Sequence, residues 1–325
     1  MIKKYPKVEF PYDRMKLQPI FTHPELENYH TEGVQGEVAR EIYGSLMFPD
    51  PPKHRAYTYG SLVMSIDGKI AYLDNPAGPV IASANVLDPD GGKADFWILN
   101  LYRASADVII AGAGTMHKEP DGTVCIMDQE LEDERLKRNL SQAPWVVIVS
   151  LDGTDVRWED ELFVNQPTMF HSSPFALEVV KDKLAQDYFV IGPYENLQEV
   201  LEDEQRIRSQ FVEHSASKMP VIITGKDKTP DEEALLGILS LLGMKRCLVE
   251  TPSYCMALMK KKLLDEFVLN VSCVFVGGEA MSIGKSFPAF TSVDHPHTEV
   301  LSLHMHSPSY FYYRHKLVYQ DANKL

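Results

Sequence analysis

Short apolar runs alternate with longer amphipathic stretches along most of this chain. The apolar runs are rich in β-branched side chains, which is typical of strands buried on both faces of a parallel sheet. They lie at 56–65, 107–111, 145–149, 167–171, 221–224, 246–250 and 267–275. Helical spacing predicts helices over 93–106, 131–140, 175–186, 197–212, 231–242 and 253–264. Strands that alternate with helices in this way predict an α/β fold, with a mostly parallel sheet and helices on both of its faces.

The two ends of the chain depart from this alternation. Residues 298–306 and 309–319 alternate apolar and polar positions around Ser307-Pro308, which predicts an antiparallel hairpin at the edge of the sheet. Residues 1–55 are rich in Pro, His and Tyr, and we expect them to form an N-terminal arm over the main domain or a partner subunit. The main domain is then 56–325, with a charged helical insert at about 172–218.

The stretch from Asp107 to Thr115 reads D-V-I-I-A-G-A-G-T and places two glycines where a strand should turn into a helix. Gly112 and Gly114 would let a ligand approach the main chain, and the free N–H groups of the following helix would attract a phosphate. Glu119 lies about one helical turn further on. The same pattern also suits a tight turn packed against a neighbouring helix, because it is neither a Rossmann fingerprint nor a Walker loop.

A second strand-to-helix turn reads V-E-T-P-S-Y over 249–254, with Glu250 at its tip. Two such turns would hold a pyrophosphate at both ends, so the pair favours a dinucleotide ligand. Glu250 alone equally suits a carboxylate at a helix N-terminus. Asp67, in S-I-D-G, equally suits a turn residue that bonds its own backbone.

The composition narrows the class of function. The 325 residues are 44% hydrophobic and 24% charged, as in ordinary soluble proteins, and the net charge of −14 argues against a nucleic-acid partner. No apolar run approaches about 18 residues, so we expect no membrane span and a cytoplasmic protein. We predict reduced, mostly buried thiols for the four cysteines, which show no C-x-x-C spacing. His304 and His306 would share one strand face, but no third ligand is indicated, so no metal site is predicted.

Several further short motifs accompany the two turns. They are S-I-D-G-K-I-A at 65–71, L-Y-R-A at 101–104, L-D-E-F at 264–267, F-V-G-G at 275–278 and S-F-P at 286–288. In their order and spacing, over about residues 56–320, they resemble the reductase domain of riboflavin biosynthesis, which has the dihydrofolate-reductase-like fold. This resemblance implies an NADPH-dependent reductase, usually a homodimer, with the cofactor across the carboxyl ends of the strands.

The resemblance also implies roles for individual residues near the cofactor. Those carried over by motif are Met64, Val80, Gly112, Gly114, Thr115, Ser150, Pro252, Ser253 and Tyr254. Within this set, Met64 and Val80 would line the nicotinamide site, residues 252–254 would bind the pyrophosphate, and Ser150 would lie near the adenosine.

On the substrate side, the resemblance implies Gly78, Arg103 and Glu250 as contacts for a ribosylaminopyrimidine phosphate. Arg103 equally suits a structural ion pair. The expected chemistry is hydride transfer from C4 of the nicotinamide to an imine or carbonyl carbon, with the protein mainly aligning the two reactants. A nearby carboxylate would stabilise the developing positive nitrogen or relay a proton. Asp67 and Glu119 are the candidates for this catalytic role.

The sequence departs from the family in ways that leave alternatives open. The usual glycine pair after the glutamate is Thr251-Pro252, the usual aspartate after the threonine is Glu119, and 120–125 offers no basic residue for a substrate phosphate. The paired zinc signature of H-x-E with P-C-x-x-C does not occur, so we expect no deaminase half. The alternatives are a reductase of the same fold acting on a pteridine or another small molecule, a non-catalytic NADPH-binding protein, or a structural partner that works through 172–218.

Overall fold

Strands and helices alternate through the residues that the computed structural model describes, which are 4–118, 124–184, 186–285 and 287–319. The strands are β1 (Gln18–Thr22), β2 (Thr31–Glu32), β3 (Met47–Phe48), β4 (Tyr57–Ser65), β5 (Val108–Gly112), β6 (Trp145–Val149), β7 (Thr168–Ser172), β8 (Tyr188–Tyr194), β9 (Met219–Thr224), β10 (Arg246–Val249), β11 (Glu266–Ser272), β12 (His297–Ser307) and β13 (Tyr310–Val318). The helices are α1 (Glu37–Ile42), α2 (Val80–Ser83), α3 (Pro89–Ser105), α4 (Ala113–Lys118), α5 (Gln129–Lys137), α6 (Leu162–Asn165), α7 (Pro174–Lys181), α8 (Leu197–Glu202), α9 (Glu204–His214), α10 (Glu232–Leu241) and α11 (Pro252–Lys260).

One large sheet organises these elements. In the described part of the chain it has eleven strands in the order β1-β12-β13-β11-β4-β10-β5-β6-β7-β9-β8. All pairings from β11 to β8 are parallel, whereas β13, β12 and β1 are joined antiparallel. The predicted α/β fold, with a mixed, mostly parallel sheet and a C-terminal antiparallel hairpin, is confirmed. Because β4, β10, β5, β6 and β7 run the same way, their carboxyl ends meet at one edge of the sheet.

The hairpin does not form the edge of the sheet, contrary to the prediction. β1 pairs antiparallel along the outer side of β12, with Gln18 opposite Met305 and Thr22 opposite Ser302. A free strand edge presents unpaired N–H and C=O groups, and here the N-terminal segment supplies their partners. All five β1 side chains are exposed, so nothing in their burial pattern predicts this strand.

The N-terminal residues also enter a hydrophobic core on the α3 side of the sheet. Ile42, Leu46 and Phe48 pack there with Tyr59 of β4 and Trp97 of α3, all of them fully or almost fully buried. A second core lies on the opposite side, under α10 and α11. Residues 4–55 therefore lie over the main body of the protein, while their division from 56–325 as separate units stays a prediction.

The segment 172–218 contains a strand as well as helices. β8 pairs parallel with β9 at the end of the sheet opposite β1, between α7 and the two helices α8 and α9. The helical spacing in the sequence predicted only helices here. The apolar run Tyr188–Ile191 of β8 is followed by Gly192-Pro193, and its residues are mostly half-buried. Both features are common in an edge strand, where a proline is tolerated.

Candidate functional site

The first predicted corner lies where β5 passes into α4. All five β5 residues are buried, and Ala113 begins the helix directly after Gly112. A Cβ added to Gly112 would lie 2.7 Å from Cγ2 of Thr251, so this glycine allows another part of the chain to approach closely. A Cβ added to Gly114 would meet nothing within 4 Å. The packed-turn interpretation therefore describes Gly112, and the ligand interpretation suits the exposed Gly114.

The second corner contacts the first directly. The N–H of Glu250 donates to the carbonyl oxygen of Ile110 at 3.0 Å, and α11 begins at Pro252 after an N-cap Thr251 whose side chain makes no capping bond. The hydroxyls of Thr251 and Tyr254 are buried and have no hydrogen-bond partner among the described residues. Buried polar groups normally have a partner, so a ligand with hydrogen-bonding oxygens would complete this corner.

A cleft of about 480 Å³ opens between the two corners at the carboxyl ends of the parallel strands. Its lining includes six of the nine predicted cofactor residues, namely Gly112, Gly114, Ser150, Pro252, Ser253 and Tyr254. Thr115 lies in α4, and its side chain is outside the described part of the structure. Met64, at the end of β4, and Val80, at the start of α2, are not among the described lining residues.

The residues at the second corner fit the pyrophosphate of a dinucleotide. In the first turn of α11, the N–H groups of Ser253 and Tyr254 have no acceptor within the helix, and the helix dipole favours an anion there. The exposed side chain of Ser253 and the open space at Gly114 leave room for it. The volume also falls in the range of about 300–1,000 Å³ that is usual for ligand sites.

Ser150 follows β6 and belongs to a small hydrogen-bonded loop. Its hydroxyl accepts from the N–H of Gly153 at 2.9 Å and donates to Oδ1 of Asp155 at 2.5 Å. Asp155 and His171 also line the cleft, and neither was predicted. His171 ends the predicted strand 167–171 and Asp155 follows the predicted strand 145–149, but the order of those strands in the sheet was not known.

His171 is a neutral member of the lining. Burial lowers its pKa to about 3, and its Nε2 lies 2.8 Å from Oγ1 of Thr224. At neutral pH it therefore carries no charge that would attract a phosphate.

Arg103 and Glu250 form an ion pair behind the second corner. Nε and Nη2 of Arg103 donate to the two carboxylate oxygens of Glu250, both at 2.7 Å, and Nη1 donates to the carbonyl oxygen of Cys125 at 3.1 Å. Their side chains are only 7% and 14% exposed. The pair ties the end of α3 to the turn before α11, as in the structural alternative, and the substrate role of both residues stays a prediction.

Asp67 fastens the S-I-D-G turn to a distant loop. Its carboxylate accepts from Oγ of Ser65 at 2.6 Å and from the N–H groups of Val276 and Gly277 at 3.2 and 2.7 Å. The Ser65 hydroxyl and these N–H groups lower the pKa of Asp67 to about 2. The side chain is therefore ionised at neutral pH, where it would stabilise a positive charge but not donate a proton.

Gly78 and Glu119 are not among the described lining residues of this cleft. Gly78 is partly buried in the loop before α2, and Glu119 lies outside the described residues. The histidines considered as metal ligands have other contacts. His304 packs on the ring of Tyr43, with centroids 4.7 Å apart, and His306 bonds the carboxylate of Asp88 through Nδ1 at 2.8 Å.

Comparison with known proteins agrees with this architecture. The fold is that of an α/β protein with a cleft at the carboxyl ends of its parallel strands. A family model, the RibD C-terminal domain, matches residues 57–303, and the chain belongs to this family. No curated protein matches the sequence. No described helix is long and apolar enough to cross a membrane.

Solved structures share the fold at low sequence identity. A pyrimidine reductase-like protein of Corynebacterium diphtheriae is 18% identical, with a TM-score of 0.55 over 86% of this chain and 98% of its own. RibD of Acinetobacter baumannii is 15% identical, with a TM-score of 0.51 over 82% of this chain. Riboflavin biosynthesis reductase Rib7 of Saccharomyces cerevisiae is 11% identical, with a TM-score of 0.50 over 82% of this chain and 91% of its own. This chain spans only 59% of the length of the Acinetobacter protein.

Proposed function

We propose that the protein is a nicotinamide-dinucleotide-dependent reductase that acts on an imine or carbonyl carbon of a small molecule. The observation that carries this proposal is the meeting of the Gly112–Gly114 corner and the 251–254 corner in one cleft. Membership of the RibD C-terminal domain family supports it. An isolated glycine turn would not account for the unpartnered hydroxyls of Thr251 and Tyr254.

The residues of the cleft would mainly bind, orient and exclude water. When bound, a reduced nicotinamide supplies a hydride to the acceptor carbon. The first turn of α11 and the Thr251 hydroxyl would hold the pyrophosphate, and Ser150 would position the adenosine. Asp67 is ionised at neutral pH but is not among the described lining residues of the cleft. It stays the predicted carboxylate that would stabilise the positive nitrogen of an imine substrate. The proton would come from another group, for which Glu119 stays the predicted candidate.

The finer identity of the ligands follows from the family resemblance. The proposed substrate is a ribosylaminopyrimidine phosphate such as 5-amino-6-(5-phosphoribosylamino)uracil, as the family resemblance implies. NADPH is the dinucleotide that the resemblance implies. A homodimer also stays a prediction, and β1 rather than the hairpin would offer the free strand edge.

Two measurements test the proposal. Calorimetry should show binding of a reduced dinucleotide, and loss of absorbance at the nicotinamide band should follow addition of the aminopyrimidine. Dihydrofolate in place of the aminopyrimidine tests the pteridine alternative, and binding without turnover on either compound would favour the non-catalytic one. Absence of any dinucleotide binding would refute the proposal.

A matched pair of variants places the binding in this cleft. Gly114→Leu should abolish dinucleotide binding without lowering the melting temperature, because its side chain would enter open space in the cleft. Ser209→Leu adds the same side chain on the exposed surface of α9, and it should leave binding unchanged.

A further inference from the structure

The end of the cleft near β6 carries a carboxylate held in a fixed position. Asp155 accepts the hydroxyl hydrogen of Ser150 on its Oδ1, and its own carbonyl oxygen lies 2.7 Å from Nε2 of His117. Ser150 is itself fixed, because its hydroxyl accepts from Gly153 and its carbonyl oxygen accepts from Oγ of Ser172 at 2.6 Å. The Asp155 side chain is exposed at the cleft, so its other oxygen can accept a hydrogen bond from a ligand.

The charge at this end of the cleft is negative. Among the described lining residues of the cleft, the carboxylates are Asp155 and Glu232, and the imidazole is His171. His171 is neutral, and Glu232 is paired with Lys261. No ion pair of the described residues includes Asp155, and no Lys or Arg is among the lining residues that the structure describes.

The nearest cation along the chain is committed elsewhere. Nη1 of Arg157 donates to the carbonyl oxygen of Met116 at 3.0 Å, and the same atom lies 3.9 Å from the carboxylate of Asp160. Arg157 is not among the described residues of the cleft wall. Among the described lining residues beside β6, Asp155 is therefore the carboxylate without an ion-pair partner.

The two nicotinamide dinucleotides differ at one position, the 2′-oxygen of the adenosine ribose. In NADH this oxygen is a hydroxyl that can donate to a carboxylate, whereas NADPH carries a phosphate that needs a cation such as arginine. A phosphate beside an unpaired carboxylate is repelled. With the pyrophosphate at the 251–254 corner and the adenosine at Ser150, as the resemblance implies, the 2′-oxygen would lie toward Asp155, which lines the same cleft.

We propose that this protein prefers NADH to NADPH, with Asp155 accepting a hydrogen bond from the free 2′-hydroxyl of the adenosine ribose. The proposal rests on the proposed function, since it names the form of dinucleotide that the same cleft takes. It replaces the NADPH implied by the resemblance, because the charge beside Ser150 does not suit the extra phosphate. The fixed Ser150–Asp155 pair is the feature that selects NADH over NADPH.

Calorimetry on the full chain at low ionic strength tests this preference without any turnover. The dissociation constant for NADH should be at least about tenfold lower than that for NADPH, which is about 1.4 kcal/mol. Added salt should narrow the ratio by screening the repulsion. Equal binding, or tighter binding of NADPH, would overturn the preference while leaving the reductase proposal standing. Failure of both dinucleotides to bind would overturn both proposals.

Charge-matched variants assign the preference to one side chain. Asp155→Asn should weaken NADH binding and strengthen NADPH binding, so that the dissociation constants for the two dinucleotides become nearly equal. Glu159→Gln removes one negative charge from an exposed position four residues away, outside the described cleft lining, and should keep the wild-type ratio. The same loss of ratio in both variants would show a general charge effect and refute the role of Asp155.

Discussion

Asp95 offers the sharpest test of the electrostatics of this fold. It lies on α3, and its Oδ1 accepts one hydrogen bond, from Nδ2 of Asn270 on β11 at 2.7 Å. Burial raises its pKa to about 7, and the Asn270 bond only partly opposes this shift. No ion pair of the described residues includes Asp95, so at high pH its partly buried carboxylate would have no counter-charge.

The loss of stability at high pH follows from the difference between the pKa values of Asp95 in the folded and the unfolded chain. The folded pKa of about 7 lies roughly three units above the usual value of 3.8, and one unit corresponds to about 1.4 kcal/mol. Between these two pKa values the unfolded chain releases the proton that the folded chain keeps, so the free energy of unfolding falls as pH rises. The raised pKa of Asp95 therefore lowers the free energy of unfolding by about 2 kcal/mol at about pH 5.5 and by about 4 kcal/mol at about pH 8.5.

Asp95→Asn removes this cost, because a carboxamide does not ionise. Its oxygen can accept the bond from Asn270, and its N–H can donate to Oδ1 of Asn270, which has no partner in the described structure. The variant should therefore be more stable than the wild type, and its advantage should grow by about 2 kcal/mol between about pH 5.5 and about pH 8.5. Urea unfolding at the two pH values measures this.

A second aspartate on the same helix serves as the control. Asp90 accepts hydrogen bonds from Lys93 and Arg14, which lower its pKa, so Asp90→Asn should give no stability gain at high pH. The reasoning about Asp95 is refuted if Asp95→Asn is less stable at high pH, or if its advantage does not change with pH. Either result would mean that the wild-type carboxylate is charged and satisfied in the folded protein.

Two further substitutions test how the site and the sheet are held together. Gly112→Ala should lower stability by about 1–3 kcal/mol and weaken dinucleotide binding. The reason is that the new Cβ would lie 2.7 Å from Cγ2 of Thr251 and push the two corners apart. Unchanged thermal unfolding would contradict this. Glu266→Gln should cost about 3–5 kcal/mol in chemical unfolding, because it leaves the guanidinium of Arg314 buried at 2% exposure without its carboxylate. A loss below about 1 kcal/mol would show that this ion pair is replaceable.

The central strands could be predicted because the sequence must satisfy two buried faces at once. The prediction for β6 matches its observed bounds, and those for β5, β9 and β10 differ from them by one or two residues. β1 and β8 could not be found in this way. They lie at opposite ends of the sheet, where at least one side of the strand is exposed and the pairing partner, β12 or β9, defines the strand.

The two corners of the cleft could also be predicted, since their residues follow parallel strands whose carboxyl ends share one edge. The hydrogen-bond partners of individual side chains could not be predicted from the sequence. Asp67 was interpreted as a turn residue or a catalytic carboxylate, and its actual donors at 276 and 277 come from a loop far along the chain. The Ser150–Asp155 pair depends on the local path after β6, which hydrophobic spacing does not describe.

The Thr251-Pro252 departure from the family pattern lies at the proposed pyrophosphate site. Thr251 places Cγ2 where only a glycine fits at position 112, so the two corners depend on each other. Proline at the first position of α11 removes an N–H that would have no partner inside the helix, and it presets the backbone. The N–H groups of Ser253 and Tyr254 remain, and the Thr251 hydroxyl adds a donor that a glycine pair would lack. The departure therefore changes which atoms would meet a pyrophosphate in the proposed site.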